Sequence, residues 1–269
     1  MSEKRVMGCL LGKKDIRDYK IKRKVAMSVN YPEAFECEKQ RGKIKNQGSV
    51  GSCVAHATSE ILEYHTNGTQ KLATDFIYGI RNKLFGSTGT GMTLRDACKI
   101  VKSYGDPQLS YCPTNTEVTA VFKIAESVFT NEEAMEDAKN HRISSYAQLR
   151  NDEDIKYALM NYGPVLACVQ WFSDYKISVR DGILHKGVKP SGYHAIMIYG
   201  WNEEGWLCQN SWGTGFGQKG LFILPHDYQV AQAYSLVPTE SNEDLNIPVR
   251  NCVFDLFYKL INWIINLFN

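Results

Sequence analysis

Ile44-Lys45-Asn46-Gln47-Gly48-Ser49-Val50-Gly51-Ser52-Cys53 runs without a break into Val54-Ala55-His56-Ala57-Thr58-Ser59-Glu60-Ile61-Leu62-Glu63-Tyr64-His65. The first part reads as a loop, with two glycines free to take backbone angles closed to other residues. The second part has apolar or small residues at Val54, Ala57, Ile61 and Leu62, which predicts a helix over 53–65 with one buried stripe. Asn67-Gly68 ends it. Cys53 therefore sits where a glycine loop meets a helix N-terminus, where unpaired N–H groups and the helix dipole favour a thiolate. A cysteine is as often a small buried hydrophobe, so this residue alone decides nothing.

Outward from this stretch, 75–84, 93–104, 131–140 and 152–161 read as further helices. Gly86-Ser87-Thr88-Gly89-Thr90-Gly91 separates the first two. From Gly163 the texture changes. Pro164–Gln170, His194–Tyr199, Trp206–Asn210, Gly220–Leu224 and Tyr234–Val237 are short apolar or alternating runs punctuated by Gly, Asn and Pro, the pattern of an antiparallel sheet. A mostly helical first half followed by a mostly β second half predicts an α+β protein of two lobes.

The 269 residues carry 31 Lys+Arg against 29 Asp+Glu and are 43% hydrophobic, enough to bury a core and too apolar for disorder. The net charge of +2 gives no general attraction to nucleic acid. Residues 1–30 hold nine basic and three acidic side chains, leaving 22 basic and 26 acidic on the remainder: a basic arm on a mildly acidic body. Eight cysteines lie without any Cys-x-x-Cys pair, which removes the usual zinc and redox spacings. Disulfides are permitted and not demanded. The short apolar run Val6–Gly12 is followed at once by Lys13-Lys14, no convincing secretory signal, and the expected setting is reducing: cytoplasmic or virion-associated.

Cys53 has company. Gln47, six residues upstream, can bring its side-chain amide to the same point as the Cys53 backbone N–H, two donors for the oxyanion of a tetrahedral intermediate. His194 follows 141 residues later and Asn210 sixteen beyond that. A thiol needs a base for its proton, and the base needs a third group to fix its tautomer and ring angle.

These segments resemble the papain-like cysteine peptidases. Ile44–Cys53 is similar to the family's oxyanion-glutamine and nucleophile block, and Gly192-Tyr193-His194-Ala195 to its catalytic-histidine strand. Asn210-Ser211-Trp212-Gly213-Thr214-Gly215-Phe216-Gly217 resembles the Asn-Ser-Trp-Gly motif, and the likeness covers about residues 31–239. Asp15-Ile16-Arg17-Asp18-Tyr19 further resembles the entry segment of the compact bacterial, archaeal and large-virus branch. The resemblance implies a helical N-terminal lobe at about 31–130 and an antiparallel β-barrel-like lobe at about 131–239, with the active-site cleft between them. It implies Cys53 as nucleophile, His194 as acid and base, Asn210 as orienter and Gln47 as oxyanion donor. Gly89 and Gly91 would pair with the main chain of bound peptide, Tyr193 would shape a specificity pocket, and Trp212 would border the site and shield the His–Asn bond from water. The implied activity is endopeptidase hydrolysis of peptide or protein substrates through a thioester, with no cofactor and no metal.

The chain departs from the family pattern at Val50, where many secreted members have a disulfide cysteine, and at Val54, where Trp or Tyr usually follows the nucleophile. No histidine-bearing insertion of the carboxydipeptidase kind is seen, and the other histidines (56, 65, 141, 185, 226) lack paired ligand spacing. Two other classes use the same residue types: a catalytically silent peptide-binding module, and another thiol acyl transfer. No catalytic group is missing, which argues against the first; the Gln47 spacing and the Asn-Ser-Trp block argue against the second.

Residues 1–30 are expected to be a short propeptide that plugs the cleft, or else an arm packed on the surface, since too few residues precede the body for a long inhibitory domain. In 240–269, a linker leads to an amphipathic helix over 251–269, with Asp255, Lys259, Asn262 and Asn266 on one narrow face. It is expected to pack on protein, its own body or a partner, or to lie on a membrane surface as a peripheral contact.

Overall fold

Three helices begin where the sequence supplies a capping side chain. Thr93, Asn131 and Asn151 accept the N–H groups of Asp96, Ala134 and Asp154, satisfying donors that a helix start leaves unpaired. The computed structural model describes residues 6–13, 15, 31–87, 89–115, 118–178 and 180–239. Most of the basic arm and the whole of 240–269, including the amphipathic segment 251–269, lie outside the described residues. The helices are α1 (Cys53–His65), α2 (Thr74–Phe85), α3 (Leu94–Ser103), α4 (Val118–Phe129), α5 (Glu132–Lys139) and α6 (Asp152–Tyr162). The strands are β1 (Cys9–Leu10), β2 (Phe35–Glu36), β3 (Met92–Thr93), β4 (Ile143–Leu149), β5 (Val165–Phe172), β6 (Lys176–Ile177), β7 (Leu184–His185), β8 (Pro190–Trp201), β9 (Gly205–Gln209), β10 (Leu221–Pro225) and β11 (Val230–Pro238). No described helix is long and apolar enough to cross a membrane.

The main sheet runs β10-β9-β8-β5-β11-β4, with β2 added on β8, and every pairing in it is antiparallel. Its centre is buried on both faces. Along β5, Leu166 and Cys168 join the helix-side core, while Val165, Ala167, Val169 and Trp171 join a second core on the far face. On β8, Ala195 and Met197 face the helices and Ile196 and Ile198 face away. This period of two turns an almost unbroken apolar run into a two-sided wall. The chain enters its body on the sheet side: Phe35 and Glu36 pair with Trp201 and Gly200 before the chain reaches α1.

Three features differ from the sequence expectation. Helix α1 is buried at every position from Cys53 to Tyr64 rather than along one stripe, because it runs between the other helices and the sheet. Helix α4 was not anticipated, although Val121, Ala125 and Val128 recur at helical spacing and are buried. Strand β4 was also missed. It lies at the sheet edge and buries only Ile143, Ala147 and Leu149, so the alternation is diluted by polar neighbours.

Burying all of α1 takes its polar side chains out of water, where they must find partners. Lys45 supplies one: its Nζ lies 2.8 Å from Glu63 Oε1 and 2.9 Å from both Ser59 Oγ and the Leu72 carbonyl. Two further carboxyls share this interior. Glu60 faces Lys45, Gln209 and Glu63, and burial pushes it up to about 8. Asp106 faces Lys45, Ser59, Glu63 and Asp137, and burial pushes it up to about 7. A carboxyl raised in the folded state binds its proton more tightly there than in the unfolded chain. The stability it lends is complete below the ordinary carboxylate range and is lost as pH climbs toward 8. Glu60→Gln removes one of these groups. Urea unfolding at pH 5 and pH 8 should show the alkaline loss of stability reduced by on the order of 2 kcal/mol. Parallel pH dependences for variant and parent would refute the assignment.

Candidate active site

Cys53 is the first residue of α1, a helix whose start has no side-chain cap, so the N–H groups of its first turn remain available. The N–H groups of Ala195, Gly8 and Val54 face the Cys53 sulfur. All three favour the thiolate. Burial outweighs them, and the thiol is pushed up to about 12. The thiolate expected from the helix terminus is therefore not the favoured form here: the sulfur is fully buried, and desolvation exceeds the dipole effect.

The Ala195 N–H faces the sulfur, and Ala195 follows His194 on β8, so the strand that carries the imidazole passes beside the thiol. His194 Nε2 lies 2.8 Å from Asn210 Oδ1, which also accepts the Ser211 N–H at 2.8 Å. With that amide oxygen facing the ring, Nε2 carries the proton and Nδ1 is the basic nitrogen. Trp212 stacks on the imidazole, with centroids 4.5 Å apart and planes at 29°. Trp171 meets it edge-on at 5.1 Å. Both His194 and Asn210 are fully buried, and the aromatic walls keep water from competing for their bond. Trp171 was not singled out in the sequence. Its place inside an apolar strand looks like ordinary core until the pairing of β5 with β8 sets it beside the histidine.

Gln47 is held from the opposite lobe. Its Oε1 accepts from Ser211 Oγ at 2.8 Å and from Trp212 Nε1 at 3.2 Å, and the Gln47 N–H donates to the Ser211 carbonyl at 2.9 Å. With the carbonyl end occupied by two donors, Nε2 must face the cleft. There it donates to the Val50 carbonyl at 2.9 Å and to the Val6 carbonyl at 3.2 Å.

That second acceptor belongs to the N-terminal segment, which lies in the cleft. Met7 approaches Gly192, and Gly8 passes so close to the opposite wall that a Cβ there would fall 2.0 Å from the Gly51 carbonyl oxygen. Cys9 and Leu10 pair in parallel with Met92 and Thr93, and the Met92 N–H donates to the Gly8 carbonyl at 2.9 Å. The Cys9 side chain reaches Cys168, and burial pushes the Cys9 thiol up strongly. All seven described cysteines are free thiols. The glycine loop before β3 turns inward: the Gly89 and Gly91 carbonyls accept from Arg81, and the Gly91 N–H donates to Tyr78 Oη. Tyr193 is half-buried and packs against the helix-side core, while Trp212 is taken up by the contacts with His194 and Gln47. The structure thus sets Cys53 and Gln47 against the N-terminal segment, ties Gln47 to the His194–Asn210 pair through Ser211 and Trp212, and adds Trp171, Met92, Arg81 and Tyr78 to what the sequence indicated.

Comparison with known proteins identifies relatives in sequence and in fold. A cathepsin B-like cysteine proteinase 3 of Caenorhabditis elegans is 29% identical over 212 residues, covering 67% of this chain and 56% of that protein. The chain thus spans little more than half the length of that relative. The fold is shared with xylellain, a cysteine protease from Xylella fastidiosa, at a TM-score of 0.72 and 20% identity over 86% of this chain and 96% of that one. It is shared also with the Carica candamarcensis cysteine protease CMS1MS2 in complex with E-64, at a TM-score of 0.57 and 18% identity over 77% and 99% of the two chains. The family model for papain family cysteine proteases matches residues 31–237, and with it the chain belongs to that family.

Proposed function

We propose that this chain is a cysteine endopeptidase whose cleft is held closed by its own N-terminal segment. The observation that carries the catalytic reading is the Asn210 amide oxygen on His194 Nε2, which leaves Nδ1 as the base for Cys53. In the reaction, Nδ1 takes the thiol proton as the sulfur attacks the scissile carbonyl carbon, and the carbonyl oxygen becomes an anion. Gln47 Nε2 and the Cys53 N–H stabilise that anion, with the Gln47 amide pre-aimed by Ser211 and Trp212. The C–N bond then breaks, the amine leaves with the proton from Nδ1, and a thioester remains. Water attacks the thioester, gives its proton to Nδ1, and the acid product leaves as the thiol re-forms. Substrates on this reading are peptides or proteins cut within the chain.

The N-terminal segment occupies the groups that a substrate would need: the Gly8 N–H faces the Cys53 sulfur, and the Val6 carbonyl accepts from the Gln47 amide. While it stays there, no substrate carbonyl can reach the oxyanion donor.

Gly8→Val forces a Cβ against the Gly51 carbonyl and should expel the segment. Alkylation of Cys53 by iodoacetamide at pH 7, followed by peptide mass spectrometry, should then run at least about tenfold faster as the thiol regains water and its pKa falls. Equal rates in a folded variant would remove the self-occlusion. In that released background, Gln47→Ala should lower kcat by about 10²–10³, the effect of one lost oxyanion donor. Cys53→Ala should abolish both turnover and labelling by E-64. New internal N-termini in a denatured protein substrate are the expected products; release of C-terminal dipeptides alone would contradict endopeptidase action.

A further inference from the structure

Arg81 on α2 is 1% exposed, and its guanidinium meets main-chain oxygens. Nε donates to the Gly91 carbonyl at 2.9 Å, Nη2 to the Gly89 carbonyl at 2.6 Å and Nη1 to the Tyr78 carbonyl at 2.8 Å. The guanidinium carbon lies over the Tyr78 ring, 3.8 Å from its centroid, and 5.0 Å from that of Phe122. Tyr78 completes the arrangement by accepting the Gly91 N–H at 3.1 Å. A buried guanidinium is costly, and simple filling of this space would be served better by an apolar side chain. Here five hydrogen-bonding groups of one short loop and its support converge instead.

The consequence is geometric. Both polar main-chain groups of Gly91 are turned into the protein, at a φ of +85° that favours glycine. The next N–H, that of Met92, then faces the cleft, where it binds the Gly8 carbonyl. Whatever strand occupies the cleft must pair with the edge that Arg81 and Tyr78 set.

We propose that Arg81 and Tyr78 are positioning residues for recognition of extended peptide: they fix the Gly89–Gly91 loop so that Met92 presents its main chain to the substrate strand. The edge itself is the one that the resemblance implies for bound peptide; what the structure adds is that Arg81 and Tyr78 set it, so their effect falls on peptides long enough on the acyl side to reach Met92. This rests on the peptidase reading above.

The test uses the full-length Gly8→Val protein with Arg81→Met, Arg81→Lys or Tyr78→Phe added. Two substrates are compared, a peptide amide with three residues on the acyl side and an activated ester of a single blocked amino acid. The ratio of kcat/KM for the long substrate over the short one should fall about tenfold in Arg81→Met, mainly through KM, and by less in Tyr78→Phe, with Arg81→Lys restoring part of it. Equal loss on both substrates in folded variants, or no loss, would overturn the proposal; Tyr78→Phe keeps the test alive should the arginine variants fail to fold. If the Gly8→Val parent hydrolyses neither substrate, the peptidase reading fails and the positioning claim is decided separately. Amide hydrogen exchange at Met92 in the otherwise unaltered chain, where the N-terminal segment is the paired strand, should accelerate at least tenfold in Arg81→Met; an unaltered rate would refute it.

Discussion

The carbonyl oxygen of the Gln47 side chain holds the site together. It receives Ser211 Oγ and Trp212 Nε1 at once, and those two residues directly follow the asparagine that orients His194. One acceptor on the loop before α1 thus joins the nucleophile's approach to the motif on the sheet that carries the histidine's partner. Two backbone bonds reinforce the seam: Gln47 N–H to the Ser211 carbonyl, and Gly213 N–H to the Lys45 carbonyl, both at 2.9 Å. Lys45 in turn is anchored by its buried contact with Glu63 on α1. The Lys45–Glu63 ion pair, the Gln47 amide and the surroundings of His194 are therefore one connected structure.

Desolvation then decides the state of that sulfur. A helix N-terminus and three N–H donors all favour an anion, yet burial outweighs them and pushes the thiol up. The same burial that suppresses reactivity makes the latent state chemically quiet, since a neutral buried thiol is a poor nucleophile and is slow to oxidise. Glycine at position 8 is what permits the close approach to Gly51 on one side and to the Met92 edge on the other. On the proposed function, the N-terminal segment and a bound peptide would compete for the same main-chain donor, the Met92 N–H.

Much of this architecture was legible in the residues. The helix from Cys53 to His65, the apolar runs that became β5, β8, β9, β10 and β11, and the grouping of Cys53, His194, Asn210 and Gln47 all rest on local signals: periodicity, turn residues and side chains of unmistakable chemistry. Elements were missed where local signals were diluted, as in the half-polar edge strand β4, or went unmarked, as in α4, whose apolar spacing lacks a clear start signal. Boundaries shifted by one to several residues, the usual consequence of ends set by tertiary pairing.

The residues by themselves determined the α+β class and, through the resemblance of three ordered blocks, the family, because periodicity and motif order are written along the chain. Only the tertiary structure decided the protonation of the thiol, the direction of the Gln47 amide, the aromatic wall from Trp171 and the inward turn of the Gly89–Gly91 loop onto Arg81. Each of these depends on groups brought together from distant parts of the chain: burial by residues 6–10, hydrogen bonds from 211 and 212, register between β5 and β8, and a guanidinium from the neighbouring helix. Spacing along a chain carries no record of which water has been excluded or which lone pair is already taken, and those two facts set the chemistry of the site.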